Sequence, residues 1–248
     1  MSFYTDVFDV RGESYNAAMD RFPDAREKER AILIEMLDPR PGELILDAPA
    51  GGGYLADGLH RTGSAPVCVE PSEDFAKPLG GRYETYHSDI FLMPDFGRPL
   101  DKAGSLAGLH HLDREQILDF FKGCHSALKS GGVIAVADVL DETPVATFLN
   151  GPVDQWTLTG HEGVFFRRGD FTSLLSEAGF DKIEETFREF YWTFSTFNDL
   201  VGFCQSLFGL VKADQNAIAS TLTELLGVDE VEGGFGLRWS LLYAKAVK

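Results

Sequence analysis

Three acids punctuate the first ninety residues. Asp47 closes the apolar run "LILD", Glu70 closes "PVCVE", and Asp89 sits in "HSDI", at intervals of 23 and 19 residues. Directly after Asp47 comes "APAGGG", a loop almost free of side chains. Such a loop lets backbone approach a ligand closely, and a helix start behind it offers free N–H groups and a positive dipole end. Further along, His110 and His111 follow the run "AGSLAGL", and His161 sits in "LTGHEGVF". Imidazole titrates near neutrality and suits a general base. The spacing makes His110 or His111 the catalytic candidate, with Asp138 as a second.

The acids narrow the ligand. Gly51, Gly53 and Ala56 satisfy a G-x-G-x-x-A pattern, which fits a dinucleotide fold. A pyrophosphate would bring negative charge against Asp47. S-adenosylmethionine carries an ammonium and a sulfonium there, so the acid suits it better. Glu70 can accept from both ribose hydroxyls of either cofactor. Asp89 can take an adenine amino group, with Ile90 packed on the ring. A metal site needs clustered ligands at matching spacing; His110, His111 and Asp138 do not ask for one, so no metal is expected.

These residues need a parallel sheet to bring them to one edge. "LILDA", "PVCVE", "YETYHSD", "KAGSLAGL" and "VIAVADV" read as five strands. Residues 24–37, "YLADGLHRT" and "REQILDFFKGCHSALKSGG" read as helices, the last stopped at Gly131. Strands alternating with helices imply right-handed parallel crossovers. Beyond them, "GDFTSLLSEAGF" reads as a helix with Asp170 as its N-cap. "DKIEETFREFYW" and "RWSLLYAKAV" read as a sixth and a last strand. Between those two lie two helices, "NDLVGFCQSLFGL" and "DQNAIASTLTELLG", and a glycine-rich loop, "VEGGFG".

The motif order resembles the class I S-adenosylmethionine-dependent methyltransferase family. "LILDAPAGGG" resembles its first motif, "VCVEPS" the acidic second and "HSDI" the third. "AGSLAGLHHL" resembles its fourth-strand motif, "ALKSGGVIAVADV" its fifth-strand motif, and "LLSEAGF" the lead into strand six. The resemblance covers residues 24–190 and the last strand. Pro49 stands where the family usually has the first glycine of its loop, and Ser126 where an Arg is common.

The resemblance implies an α/β fold with a seven-stranded, mostly parallel, doubly wound sheet whose last strand is antiparallel. It implies one domain, 1–248, with substrate-cap insertions at 141–168 and 192–236. The cofactor would be S-adenosylmethionine, leaving as S-adenosylhomocysteine. Asp47, Ala48, Pro49, Gly51 and Gly53 would hold its methionine end. Glu70 and Pro71 would hold the ribose, and Asp89 and Ile90 the adenine. Ala107, Gly108 and Leu109 would line the floor, and Tyr15 and Arg26 would close over the methionine carboxylate. Trp156, His161, Tyr191 and Trp192 would line the acceptor pocket.

Composition bounds the acceptor. Lys plus Arg total 22 against 39 Asp plus Glu, a formal charge of −17. Such a chain repels phosphate backbones and anionic lipid, so a small-molecule acceptor is expected, with no nucleic acid and no membrane. No window reaches the roughly 18 apolar residues of a bilayer span. "MSFYTDVFDVRGESYN" lacks the pattern of a signal peptide. The three cysteines are far apart and read as reduced, buried thiols. These features fit a cytoplasmic monomer or homodimer. The expected activity is methyl transfer to a small acceptor at O, N or C, a carboxylate or aromatic compound among the candidates. The competing readings are a non-catalytic cofactor-binding protein and a nicotinamide-dependent oxidoreductase.

Overall fold

The computed structural model describes residues 3–161 and 163–248, with side chains from residue 10 onward. Two helices, Phe3–Arg21 (α1) and Glu27–Leu37 (α2), precede the first strand. Then come Leu44–Asp47 (β1), Tyr54–Arg61 (α3), Ala65–Glu70 (β2), Glu73–Gly80 (α4), Glu84–His87 (β3) and Leu100–Leu106 (β4). Arg114–Ala127 (α5) leads into Leu128–Asp138 (β5). The second half contains Pro144–Phe148 (α6), Asp154–Trp156 (α7), Asp170–Glu177 (α8) and Asp181–Phe194 (β6). Phe197–Phe208 (α9), Gln215–Thr221 (α10), Val228–Val231 (β7) and Gly234–Val247 (β8) complete it.

The sheet runs β3-β2-β1-β4-β5-β8-β6. β1 to β5 pair in parallel, and β8 is antiparallel to both β5 and β6. This is the expected doubly wound architecture with eight strands rather than seven. The extra strand is β7, which pairs antiparallel with β8 across the two-residue turn Glu232-Gly233. The stretch expected as a glycine-rich loop is therefore a hairpin. Gly233 lies at φ +84, which such a tight turn requires.

Several boundaries differ from expectation for local reasons. α5 stops at Ala127, because "LKSGG" has already entered β5, and Gly131 at φ +76 sits inside that strand. The N-cap of α8 is Gly169 at φ +89, while Asp170 opens the helix and accepts from the Arg167 N–H. α2 begins at Glu27, since Asp24–Arg26 close a turn first. Trp192 belongs to β6 and Gly234 to β8, so the segment bridging these strands spans 195–233. α1 and α4 were not expected. α1 packs on α9, and Arg21 pairs with Asp199 at 3.5 Å.

Each face of the sheet carries its own core. On one face Phe120, Phe121, Phe171 and Leu174 of α5 and α8 pack under β4 and β5. On the other, Leu33 of α2 and Trp192 of β6 share a core with Phe203 and Leu222 of the bridging segment. One charged group is built into this second core. Glu29 has no exposed surface and takes the Trp192 indole N–H at 2.9 Å and the Arg26 guanidinium. Its carbonyl takes the Tyr243 hydroxyl at 3.0 Å. Burial works against the charge on Arg26, but Glu29 together with the nearby Tyr15 and Tyr54 outweighs it and raises the guanidinium pKa.

Removing one partner of such a pair leaves the other buried and uncompensated. Glu29→Ala is expected to lower stability in urea denaturation by about 3–5 kcal/mol. The double variant Arg26→Met/Glu29→Leu is expected to recover more than half of that loss, since apolar replacement of a whole buried pair is often neutral.

Candidate functional site

The carboxyl ends of β1 and β4 open onto a cleft with an enclosed volume of about 120 Å³. That is close to the roughly 150 Å³ that admits a benzene ring. Asp47, Pro49, Gly51 and Tyr54 form its first wall, and Ala107, Gly108, His110 and His111 its floor. Arg11 and Tyr15 come from α1, His161 from the loop after α7, and Trp192, Phe208 and Trp239 from the far side.

The glycine loop is shaped by close approach. Gly51 and Gly53 lie at φ +52 and +92, in the left-handed region. A Cβ on Gly108 would fall 2.4 Å from Cγ of Pro49. The proline that departs from the usual loop glycine is thus accommodated by a glycine on the neighbouring strand end. Asp47 is 1% exposed and accepts the Ala56 N–H at 2.8 Å, holding the start of α3. Burial first, then the nearby Glu70 and Asp57, push its carboxyl well above the usual range, against the Ala56 hydrogen bond. Among the described residues the cations beside this wall are already engaged: Arg26 by Glu29 and the Tyr15 hydroxyl at 2.9 Å, and Arg30 by Glu27 and the Tyr54 carbonyl. The Tyr54 hydroxyl is buried in the same wall with no partner among the described residues.

The histidines occupy the opposite half. His110 Nδ1 lies 2.6 Å from Oδ1 of Asp138, which is fully buried at the end of β5. Asp138 also accepts the backbone N–H of Leu109, His110 and Val139. His161 Nδ1 lies 3.1 Å from Oδ1 of Asn150, and its backbone N–H reaches Asp154. His111 packs at a tilt against His110, with ring centroids 4.2 Å apart. Burial first, then His110 and other nearby positive groups, push His111 well below its ordinary pKa and His161 down to about 3.

No protein-family model matches the chain. An uncharacterized methyltransferase of Synechocystis sp. is 27% identical over 173 residues, which cover 64% of this chain and 76% of that protein. A crystal structure of an S-adenosylmethionine-dependent methyltransferase from Archaeoglobus fulgidus superposes with a TM-score of 0.59 at 18% identity. It covers 94% of this chain and 99% of that one. A cyclopropane synthase of Mycobacterium tuberculosis superposes with a TM-score of 0.61 at 14% identity, covering 90% and 84%. The curated relatives it matches are named as methyltransferases, and its fold is the one shared by solved S-adenosylmethionine-dependent methyltransferases.

Within this fold most residues singled out from the sequence converge, and some do not. Asp47, Pro49, Gly51, Ala107, Gly108, Tyr15, Arg26, His110, His111, His161 and Trp192 line the cleft. Glu70 is fully buried behind the loop, accepting from the N–H groups of Gly51 and Ser72. Asp89 and Ile90 follow β3, outside the cleft lining, and the Pro71 carbonyl faces His87 Nε2 at 2.9 Å. Ala48, Gly53 and Leu109 support the loop and floor from behind. Trp156 lies outside the cleft, its carbonyl accepting from Lys212. Tyr191 is on the opposite face of β6 from Trp192 and donates to Asp229 of β7.

Arg11, Tyr54, Asn150 and Trp239 are in or beside the cleft and were not singled out. For Trp239 the signal was available in "RWSLLY", where strand alternation turns Trp239 and Leu241 to one face. Arg11 gave no such signal. It crosses from α1 to the His161 loop, donating to Thr159 Oγ1 at 3.0 Å and the Gly160 carbonyl at 2.6 Å. Burial lowers its pKa to about 10, with Asp154 opposing.

A carboxyl whose folded pKa is raised loses stability contribution as pH climbs from its unfolded value through the folded one. Asp47 therefore weakens the ligand-free fold at neutral pH. Asp47→Asn keeps the acceptor for Ala56 and is expected to raise the melting temperature of ligand-free protein at pH 7.5. The gain should shrink as the pH is lowered toward 4, in melts followed by circular dichroism.

Proposed function

We propose that this protein transfers the methyl group of S-adenosylmethionine to a small-molecule acceptor enclosed in the cleft. The observation that carries this reading is the buried, uncompensated Asp47 carboxyl beside a left-handed glycine loop. A ligand with two positive centres relieves that carboxyl, while a pyrophosphate would aggravate it. The chain's own residues fit the cofactor. Asp47, Gly51 and the Tyr54 hydroxyl would hold its methionine end; Glu70 shapes the loop through the Gly51 and Ser72 N–H groups, and the ribose and adenine would extend past it along the sheet edge toward Asp89 and Ile90. When bound, the cofactor supplies an electrophilic methyl carbon on sulfur and leaves as S-adenosylhomocysteine.

The protein contributes alignment first, since in-line displacement depends on near-attack geometry. The floor residues Ala107 and Gly108 separate the acid-lined half from the histidine-lined half. Trp192, Phe208 and Trp239, with Trp192 and Trp239 stacked at 4.0 Å, form an apolar wall that excludes water from the acceptor. His110 and His111 serve the acceptor, not the cofactor. The −17 charge and the enclosed cleft favour a metabolite over a polymer.

The test combines labelled cofactor with a small-molecule extract and product detection by mass. A labelled product is expected with the wild-type protein. In calorimetry, Asp47→Asn is expected to weaken S-adenosylhomocysteine binding at least tenfold. His110→Ala is expected to bind it within threefold of wild type while transfer falls by ~10²-fold or more. Binding without any labelled product would instead support a non-catalytic cofactor-binding protein. Protection by NADH but not by S-adenosylhomocysteine would overturn the cofactor assignment.

A further inference from the structure

His110, His111 and His161 each offer a ring nitrogen, and these three nitrogens lie within 4.8 Å of one another in a buried site. The hydrogen bonds behind the rings decide what those nitrogens carry. Asn150 Oδ1 accepts the Gly163 N–H at 2.8 Å, and its Nδ2 donates to the Gly163 carbonyl at 2.9 Å, which fixes the amide orientation. His161 Nδ1, facing that oxygen, is therefore the protonated nitrogen. His110 Nδ1 likewise faces a carboxylate oxygen at 2.6 Å. In the neutral imidazole a proton on Nδ1 leaves a lone pair on Nε2. His110 and His161 thus each keep a lone pair on Nε2, in rings that pack against a third imidazole.

Lone pairs brought together in a buried site call for an electrophile. We propose that His110, His111 and His161 bind a divalent transition-metal ion of the zinc class, with its fourth position open to the acceptor. Three imidazoles with one open position form a catalytic-type zinc set, and the carboxylate and amide behind two of the rings are the outer partners such ligands use. With Zn–N bonds of about 2.0–2.1 Å and tetrahedral angles, ligand nitrogens stand about 3.3 Å apart. The cluster closes on an ion by approaches of roughly 1.5 Å or less. Asp138 behind His110 and Asp154 behind His161 supply negative charge, opposed by the guanidinium of Arg11.

The chemistry of the ion rests on the methyl-transfer reading; its binding does not. An acceptor hydroxyl or acid held at the open position loses its proton to solvent more readily. The oxygen pair then forms the bond to the methyl carbon, as the carbon–sulfur pair returns to sulfur and quenches its charge. This favours an oxygen acceptor over carbon or nitrogen.

The test uses untagged protein stripped with a chelator and titrated with Co2+ and Zn2+. One Co2+ per chain is expected, with the intense visible bands of tetrahedral coordination, displaced by Zn2+. His161→Phe and His111→Phe are expected to lose the bands, and Asn150→Ala to weaken binding 10–100-fold. S-adenosylhomocysteine affinity within threefold of wild type shows that each variant is folded. Wild-type protein that takes up no stoichiometric ion, or variants that keep it, overturn the site. Methyl transfer that survives complete chelation overturns the ion's role and leaves the transfer reading standing. Stoichiometric binding without any transfer keeps the site and removes the transfer reading.

Discussion

A carboxylate with no exposed surface must be surrounded by donors, and at Asp138 that requirement organises the site. It ends β5, and its two oxygens take the N–H groups of Leu109, His110 and Val139 and the ring of His110. Three of these donors belong to the turn after β4, the neighbouring strand. The turn is thereby pinned to the sheet, and the floor of the cleft with it. The pinning propagates outward: the His110 carbonyl accepts the Val164 N–H at 2.8 Å, and the Phe166 N–H bonds to Val139. The loop carrying His161 is stitched to the same corner. One buried acid thus fixes the rings from both segments.

The cleft that results is electrostatically divided. On the β1 side, burial raises the Asp47 carboxyl, so its charge awaits a cationic partner. On the β4 side, burial depresses His111 and His161, so these rings stay neutral nitrogen donors. The same low-dielectric environment therefore prepares opposite chemistries a few side chains apart. The floor meets the loop where Gly108 has no side chain, because Pro49 occupies that space. A loop proline and a strand-end glycine are here one packing solution.

The sheet and its ligand edge were legible in the sequence because their signals are local. A buried parallel strand must be an apolar run, and an acid closing such a run is conspicuous, as at Asp47 and Glu70. α1 was not legible. Its stripe is weak, and its purpose is tertiary, packing on α9 and sending Arg11 and Tyr15 into the cleft. β7 was hidden for a related reason: four residues with mixed burial carry too little alternation to mark a strand, and the pairing with β8 decides it. Tyr191 and Trp192 show the limit within a strand. Both are aromatic and adjacent, but period-two alternation sends only Trp192 inward.

The convergence of histidines was out of reach for the same physical reason. His110 and His111 belong to the turn after β4, where a parallel sheet gathers ligand groups. His161 stands fifty residues further on, in an irregular connection whose course depends on side-chain caps such as Asp154 and Asn150. No ligand spacing links it to the pair. A doubly wound sheet of this kind supports many chemistries, so the sheet edge specifies where a cofactor lies and not what becomes of the acceptor. That distinction falls to side chains delivered by the connections. In this chain they are Arg11, His161, Phe208 and Trp239, delivered by α1, the loop after α7, α9 and β8. The parts that sequence periodicity describes least are therefore the parts that define this protein's chemistry.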